Sequence, residues 1–263
     1  MTPLLTGLLD DAALFPPARM PLADAVAEHE EWRQGPYADL VGPFVAPEEL
    51  LPDVPGDFPL ALTVLRPERA GEVIAAAGPR LAQLEFGSGA PTEVAEAVRG
   101  QVCGIFVYVE VPVAHVTPSL CSELRSAGLR LKLRTGGLDS SAFPTEPALA
   151  SAIYAAVRAG VPTKMTAGLH HLVRRTDQET GLEMHGLGNV LLGVHAALDG
   201  ADPIQIAGTL AQRDDEAVAV GLRRLHGEHG REVRRVLRSV GTCSVREPLD
   251  ELAALGLLPA VRA

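Results

Sequence analysis

The stretch "LRLKLR" at residues 129–134 alternates leucine with a cation at every step. A period of two marks a β-strand, whose successive side chains point to opposite faces. Leu131 and Leu133 therefore share one face, and Lys132 and Arg134 share the other. The leucines suit a layer of covering helices. The cations then face whatever lies on the far side of the sheet.

The same reading extends outward in both directions. Further strand candidates are "LVGPFVA" (40–46), "PLALTVL" (59–65), "LAQLEFG" (81–87), "GIFVYVEV" (104–111), "PTKMTA" (162–167) and "RSVGTCS" (238–244). A weaker start, "TGLLDDA" (6–12), makes an eighth. Amphipathic stretches at 21–34, 67–77, 91–99, 118–127, 144–159, 187–199 and 246–256 lie between and after them. Two of these run from a proline to a glycine, Pro91 to Gly100 and Pro147 to Gly160, the ordinary punctuation of a helix. Strands alternating with helices predict a parallel sheet. Eight such units in 263 residues predict an α/β fold, a single-domain (β/α)8 TIM barrel, with a helical insertion at about 203–237 before the last strand. The open doubly wound sheet is the rival, but no G-x-G-x-x-G follows the first strand.

Bulk composition narrows the partners. Hydrophobic residues make up 47% of the chain, enough for a large core, and the net charge is −10. That charge argues against nucleic acid and against an anionic membrane surface. No apolar run approaches the roughly 18 to 20 residues of a membrane span. Cys103, Cys121 and Cys243 show no metal spacing, and an odd, sparse set fits a reducing cytoplasm. The first residues lack the basic region of a secretory signal. A cytoplasmic homo-oligomer that binds a small anionic metabolite is the expectation.

Only two lysines, Lys132 and Lys164, stand among 23 basic side chains. Alanine, glycine, proline and arginine are heavily used, as GC-rich codons favour, so a retained lysine is a candidate for work arginine cannot do. Arginine stays protonated, whereas lysine can lose its proton and attack a carbonyl. The two lysines fall on neighbouring strands about 4.8 Å apart. In a barrel both point inward, toward an active site at the carboxyl ends of the strands. Two ammonium groups in a dry pocket depress each other's pKa, and a neutral amine is a nucleophile for Schiff-base chemistry. The plainer alternative pairs each lysine with a buried carboxylate such as Glu85 or Glu110, which parity places on the same face as Gln83 and Tyr108.

Several motifs resemble those of deoxyribose-phosphate aldolase. "KLRTG" (132–136) is similar to the K-x-x-T-G run of that family, and "TKMTAGL" (163–169) to its F-K-x-x-G-G run. "VGTCS" (240–244) looks like its F-G-A-S-S, "QLEFG" (83–87) stands where it has an acid/base aspartate, and "VYVEV" (107–111) matches its fifth-strand run. The resemblance implies a Schiff base on Lys132, an activating role for Lys164, acid/base work by Glu85 and a phosphate site near Gly241 and Ser244. The chain departs from the family at Ala167-Gly168, at Leu169-His170-His171 and in having glutamate at position 85. The segments "DDAALFPPA", "TAGLHH" and "MHGLGN" also resemble a group of bacterial proteins, a likeness that implies no particular chemistry.

The remaining candidates concern binding. Arg134 with Thr135, Gly136 and Gly137 makes a cationic strand end and a flexible turn suited to a carboxylate or phosphate. Gly168, His170 and His171 follow the seventh strand and are placed against the substrate, as is Asp11 at the end of the first strand. Alternatively His170, His171 and His185 hold a divalent metal such as Zn²⁺, although adjacent residues usually diverge. Cys243 reads as a small buried residue with no base near it. The leading expectation is a cofactor-free, Schiff-base carbon–carbon lyase with Lys132, Lys164 and Glu85 catalytic. The alternatives are a metal-dependent hydrolase or isomerase on the same barrel, and a non-catalytic barrel that binds an anionic metabolite.

Overall fold

A computed structural model describes residues 3–87 and 89–258. Eight parallel strands close on themselves. In chain order they are β1 (Leu9–Asp11), β2 (Val41–Pro47), β3 (Leu60–Val64), β4 (Leu81–Phe86), β5 (Phe106–Glu110), β6 (Arg130–Arg134) and β7 (Thr163–Thr166), with β10 (Leu237–Thr242) last. β10 pairs with both β7 and β1 and so seals the ring. The (β/α)8 barrel predicted from the alternation is the fold.

Helices cover the outside. They are α1 (Leu22–Gln34), α2 (Ala70–Ala77), α3 (Pro91–Ala97), α4 (Pro118–Ser126), α5 (Glu146–Ala159), α6 (Leu187–Leu198) and α10 (Arg246–Ala254). The stretch between α6 and β10 holds α7 (Pro203–Leu210), α8 (Asp215–Arg224) and α9 (Gly227–Val236). Local sequence explains the ends. The Thr117 and Thr145 side chains accept the backbone N–H groups of Leu120 and Ala148, and a proline follows each cap within two residues. α5 stops at Gly160, whose φ of 64° lies in the left-handed region. After β2 a 3₁₀ turn (Glu48–Asp53) carrying Pro52 replaces an α-helix.

The outward residues of the strands, among them Leu84, Val109, Leu131, Leu133 and Val240, join the helices in one continuous apolar core. The inward residues are different in kind. Asp10, Gln83, Glu85, Lys132, Lys164 and Ser239 are all buried inside the ring. The register sets Lys132 directly beside Lys164, and Glu110 beside Lys132.

One element has no sequence signature. Between β7 and α6 the chain forms a small antiparallel hairpin, β8 (Arg175–Thr176) and β9 (Glu183–Met184). Strands of two residues are too short to show a period. Among the described residues no helix is long and apolar enough to cross a membrane.

The division of labour between the two faces of β6 is testable. Leu131 is fully buried against the helices. Leu131→Ala should lower stability by about 2–5 kcal/mol, read as a shift in urea midpoint at unchanged slope.

Candidate functional site

Glu85 is the centre of the barrel interior. It comes from β4 and is 1% exposed. Its Oε2 lies 2.7 Å from the Lys132 amine, and its Oε1 accepts a short hydrogen bond from the Lys164 amine. One carboxylate therefore bridges both lysines. Lys164 also reaches Asp10 Oδ2 at 2.6 Å and donates to Gln83 Oε1 at 3.0 Å. Lys132 has a second carboxylate, Glu110, at 3.2 Å. Glu110 in turn takes a fork from Arg134, with Nε at 2.8 Å.

Charge decides how these groups titrate. Burial alone would raise the Glu85 carboxyl, but Lys132 and Lys164 overcome that and hold it down from an ordinary 4.5 to about 2. Burial likewise works against the Lys164 ammonium, yet Asp10 and Glu85 outweigh it and push its pKa up. For Lys164 this corrects the expectation that the two lysines depress one another. Asp10 and Glu85 reverse the sign there, as in the plainer alternative of ion-paired lysines.

The two amines are not equivalent. Lys164 is 1% exposed and its three N–H donors meet three acceptors from β1 and β4. Lys132 meets two carboxylates and lies on the floor of a cavity of about 420 Å³ at the carboxyl ends of the strands. Glu85, Glu110, Arg134 and Thr166 line the same cavity, with Val45, Val64 and Leu138 among its apolar residues. Gly241 leaves room over Lys164, because a Cβ there would stand 3.6 Å from the Lys164 Cε and 3.0 Å from Thr166 Oγ1.

The binding residues inferred from the sequence separate into two groups. Arg134, His170 and Gly241 line the cavity. Thr135 does not. It is fully buried, and its hydroxyl donates to the carbonyls of Thr166 and Ala167, at 3.3 and 2.5 Å, tying β6 to the turn after β7. Gly136 and Gly168 serve the same junction, since a Cβ at position 136 would come within 2.6 Å of the Gly168 Cα. Ser244 is engaged in its own turn, its N–H donating to Thr242 Oγ1 and its Oγ accepting from the Glu247 N–H, so the expected anion nest with Gly241 does not form. Asp11 points away from the cavity. It accepts from the Ala13 N–H and pairs with the buried His29 at 3.0 Å, beneath Phe44 and Phe58. Its neighbour Asp10 is the inward acid, as strand parity requires once Asp10 registers with Gly241.

The alternative metal set is not assembled. His170 pairs with Glu247, and His171 with Glu251, each at 2.8 Å. His185 is buried elsewhere, with Nε2 donating to the Pro144 carbonyl and Nδ1 accepting from Arg174. Burial lowers the His185 pKa, in keeping with a neutral ring. No group of three or more histidine, cysteine, aspartate or glutamate side chains among the described residues is placed to hold a metal.

Cys243 contradicts its sequence reading. Its sulfur lies 3.7 Å from His170 Nε2, while His170 Nδ1 faces Glu247 at 2.8 Å. The base that seemed missing is 73 residues away along the chain. No local pattern could have announced it.

No protein-family model matches this chain, and no curated protein matches it. Among solved structures it is similar to a dihydropteroate synthase from Thermus thermophilus in complex with 6HMPPP, at 16% identity, over 97% of this chain and 94% of that one, with a TM-score of 0.48. It is similar to a Yersinia pestis DHPS with a pterine-sulfa conjugate at 11% identity, over 97% and 93% of the two chains, with a TM-score of 0.44. FabK from Thermotoga maritima follows at 14% identity, 97% and 96% coverage, and a TM-score of 0.42. Similarity at this level says nothing about chemistry.

Because Glu85 answers two buried amines, Glu85→Gln should cost about 3–5 kcal/mol, the usual consequence of breaking a buried ion pair from one side. In the native protein the stabilisation from Glu85 is complete above pH 4.5 and is lost as pH falls toward about 2. Urea melts between pH 2 and 6 should show that acid limb, and the variant should lack it.

Proposed function

We propose that this barrel is an enzyme that forms an imine on Lys132 and breaks or makes a carbon–carbon bond in a small anionic carbonyl compound. The observation that carries the reading is the position of the Lys132 amine. It lies on the floor of the cavity, at 2.7 Å from one carboxylate and 3.2 Å from another. Lys164 lines the same cavity but has all three of its N–H donors engaged, which leaves Lys132 as the amine to meet a carbonyl carbon.

The steps follow from the neighbours. Lys132 gives a proton to Glu110, the more open of its two carboxylates. The amine adds to the carbonyl, and the oxygen leaves as water with one proton from the attacking nitrogen and one returned by Glu110. The resulting iminium draws the electrons of the bond between its α and β carbons while Glu110, ionised again, takes the proton of the β-hydroxyl, so the far fragment departs as an aldehyde or ketone and an enamine remains. Glu85 stays ionised throughout, because its carboxyl is held at about 2, and it stabilises the positive nitrogen as that charge moves from ammonium to iminium. Lys164 fixes Glu85 and Asp10 in place and is a positioning residue. The Arg134 guanidinium, half-exposed at the cavity rim, is suited to an anionic group on the substrate.

A second reading rests on the completeness of the pairing. Lys132, Lys164 and Arg134 each have a carboxylate partner, as suits a barrel that binds an anionic metabolite without turnover.

One experiment separates them. The protein is incubated with a panel of small aldehydes, ketones and 2-oxo acids, reduced with borohydride, digested and mapped by mass spectrometry. A reduced adduct on the Lys132 peptide, abolished in Lys132→Arg, is the expected result. Thermal stabilisation by an anionic compound with no adduct from any carbonyl would replace the enzyme with the binding barrel.

A further inference from the structure

The lysine cavity shares a wall with a second cleft of about 490 Å³. Cys243 and His170 line both. The second cleft is bordered on its apolar side by Leu138, Phe143, Leu182 and Met184, and on its polar side by Asp177, Glu179 and Glu247. It lies at the carboxyl end of the barrel, where the β7 turn, the β8–β9 hairpin and the start of α10 meet.

Three side chains meet on that wall. The Cys243 sulfur lies beside the His170 ring, 3.7 Å from Nε2 and 3.9 Å from Nδ1, and His170 Nδ1 is 2.8 Å from Glu247 Oε2. A thiol, an imidazole and a carboxylate in this order form an activated nucleophile. The imidazole takes the thiol proton on one nitrogen while the carboxylate holds the other, and such contacts are often long before substrate binds. The neighbouring His171 is held by Glu251 at 2.8 Å, beside Arg175 and the Leu172 N–H, and leaves His170 to the thiol.

We propose that Cys243 is a second nucleophile of this protein, with His170 as its base and Glu247 as the residue that orients His170, and that it accepts an acyl group from an ester or thioester whose apolar portion lies in the second cleft. The thiol proton moves to His170 Nε2, and the sulfur bonds to the acyl carbon. The bond from that carbon to the leaving oxygen or sulfur then breaks, and the leaving group departs with the proton from His170. The product is a thioester on Cys243. This step uses none of the atoms of the imine reaction, so either reading can fail alone.

The titration of the ring agrees with the geometry. Burial would lower the His170 pKa, but hydrogen bonds to Cys243 and Glu247 prevail and raise it from 6.5 to about 10. The other two thiols are natural controls. Cys103 is exposed, and Cys121 is buried with its thiol pushed up to about 11 by burial.

The full-length protein tests this in two arms. In the first, iodoacetamide is added at pH 6 and each cysteine is quantified by mass spectrometry. Cys243 should alkylate at least about tenfold faster than the more exposed Cys103, as a thiolate–imidazolium pair requires. In the second, p-nitrophenyl butyrate should release a stoichiometric burst of p-nitrophenolate and leave a butyryl group on Cys243. His170→Gln should slow acylation by about 100-fold or more, the usual worth of a positioned base. Glu247→Gln should shift the pH profile of alkylation, and Glu247→Asp should restore it, which a merely structural role would not do. Cys103→Ser should leave the burst unchanged. Cys243 reacting no faster than Cys103 at pH 6, or a butyryl group found only on other residues, would overturn the proposal, and both readouts use the unaltered protein.

Discussion

A single carboxylate shared by two ammonium groups organises the inside of this barrel. Glu85 faces Lys132 with one oxygen and Lys164 with the other, and Asp10 and Glu110 complete the chain at either end. Barrel interiors are usually filled by branched apolar side chains in layers. Here the inward positions of β1, β4, β6 and β7 carry charge, the main apolar core lies outside the sheet, and only a small apolar cluster of Ala12, Val45 and Ala61 remains within. Such an interior holds only while every member is present, because desolvating an ion is costly and only close partners offset it. The arrangement also explains why two lysines stand among so many arginines. The Lys164 amine sends three donors to acceptors on two strands, a tetrahedral task. A planar guanidinium cannot converge on three such points from one atom.

The asymmetry between the two lysines carries the functional argument further than their proximity does. Both line the cavity, but Lys164 has its three donors engaged by three acceptors, whereas Lys132 meets two carboxylates. Mutual repulsion would have made either amine neutral and reactive. The structure instead makes one a fixed support and leaves the other at the surface of the pocket, with an open carboxylate beside it to take a proton. In the proposed imine chemistry, reactivity then depends on proton transfer from Lys132 to Glu110 within an ion pair.

What the sequence made legible follows the reach of periodicity. β4, β6 and β7 were readable because five or six alternating residues suffice to define two faces, and those faces put Gln83, Glu85, Lys132 and Lys164 together in advance. β1 is three residues long, so the choice between Asp10 and Asp11 had no period to settle it, and the register with β10 decides for Asp10. Loops carry no period at all. Thr135, Gly136 and Ser244 read as anion ligands because their types suit that work, yet their groups are taken up by neighbouring backbone. The contact between Cys243 and His170 joins the ends of β10 and β7, which lie side by side only because the barrel closes in that order.

The same closure explains how a wall made of loops stays in place. The turn after β7 is anchored to α10 at several points. Glu247 holds His170, and Glu251 holds His171, the Leu172 N–H and Arg175. Two of these anchors are imidazoles that hold their carboxylates most firmly when charged. For His170 the sign is clear. Its pKa rises on folding from 6.5 to about 10, so its contribution to stability is complete below pH 6.5 and is lost as pH climbs toward about 10. The wall between the two cavities is therefore tightest at neutral and acid pH, the range in which the imidazolium also faces the Cys243 sulfur. One ring therefore fastens the loop and, in the proposed acyl transfer, is the group that holds the Cys243 proton, so the rigidity of this corner and that reactivity would have a common electrostatic origin.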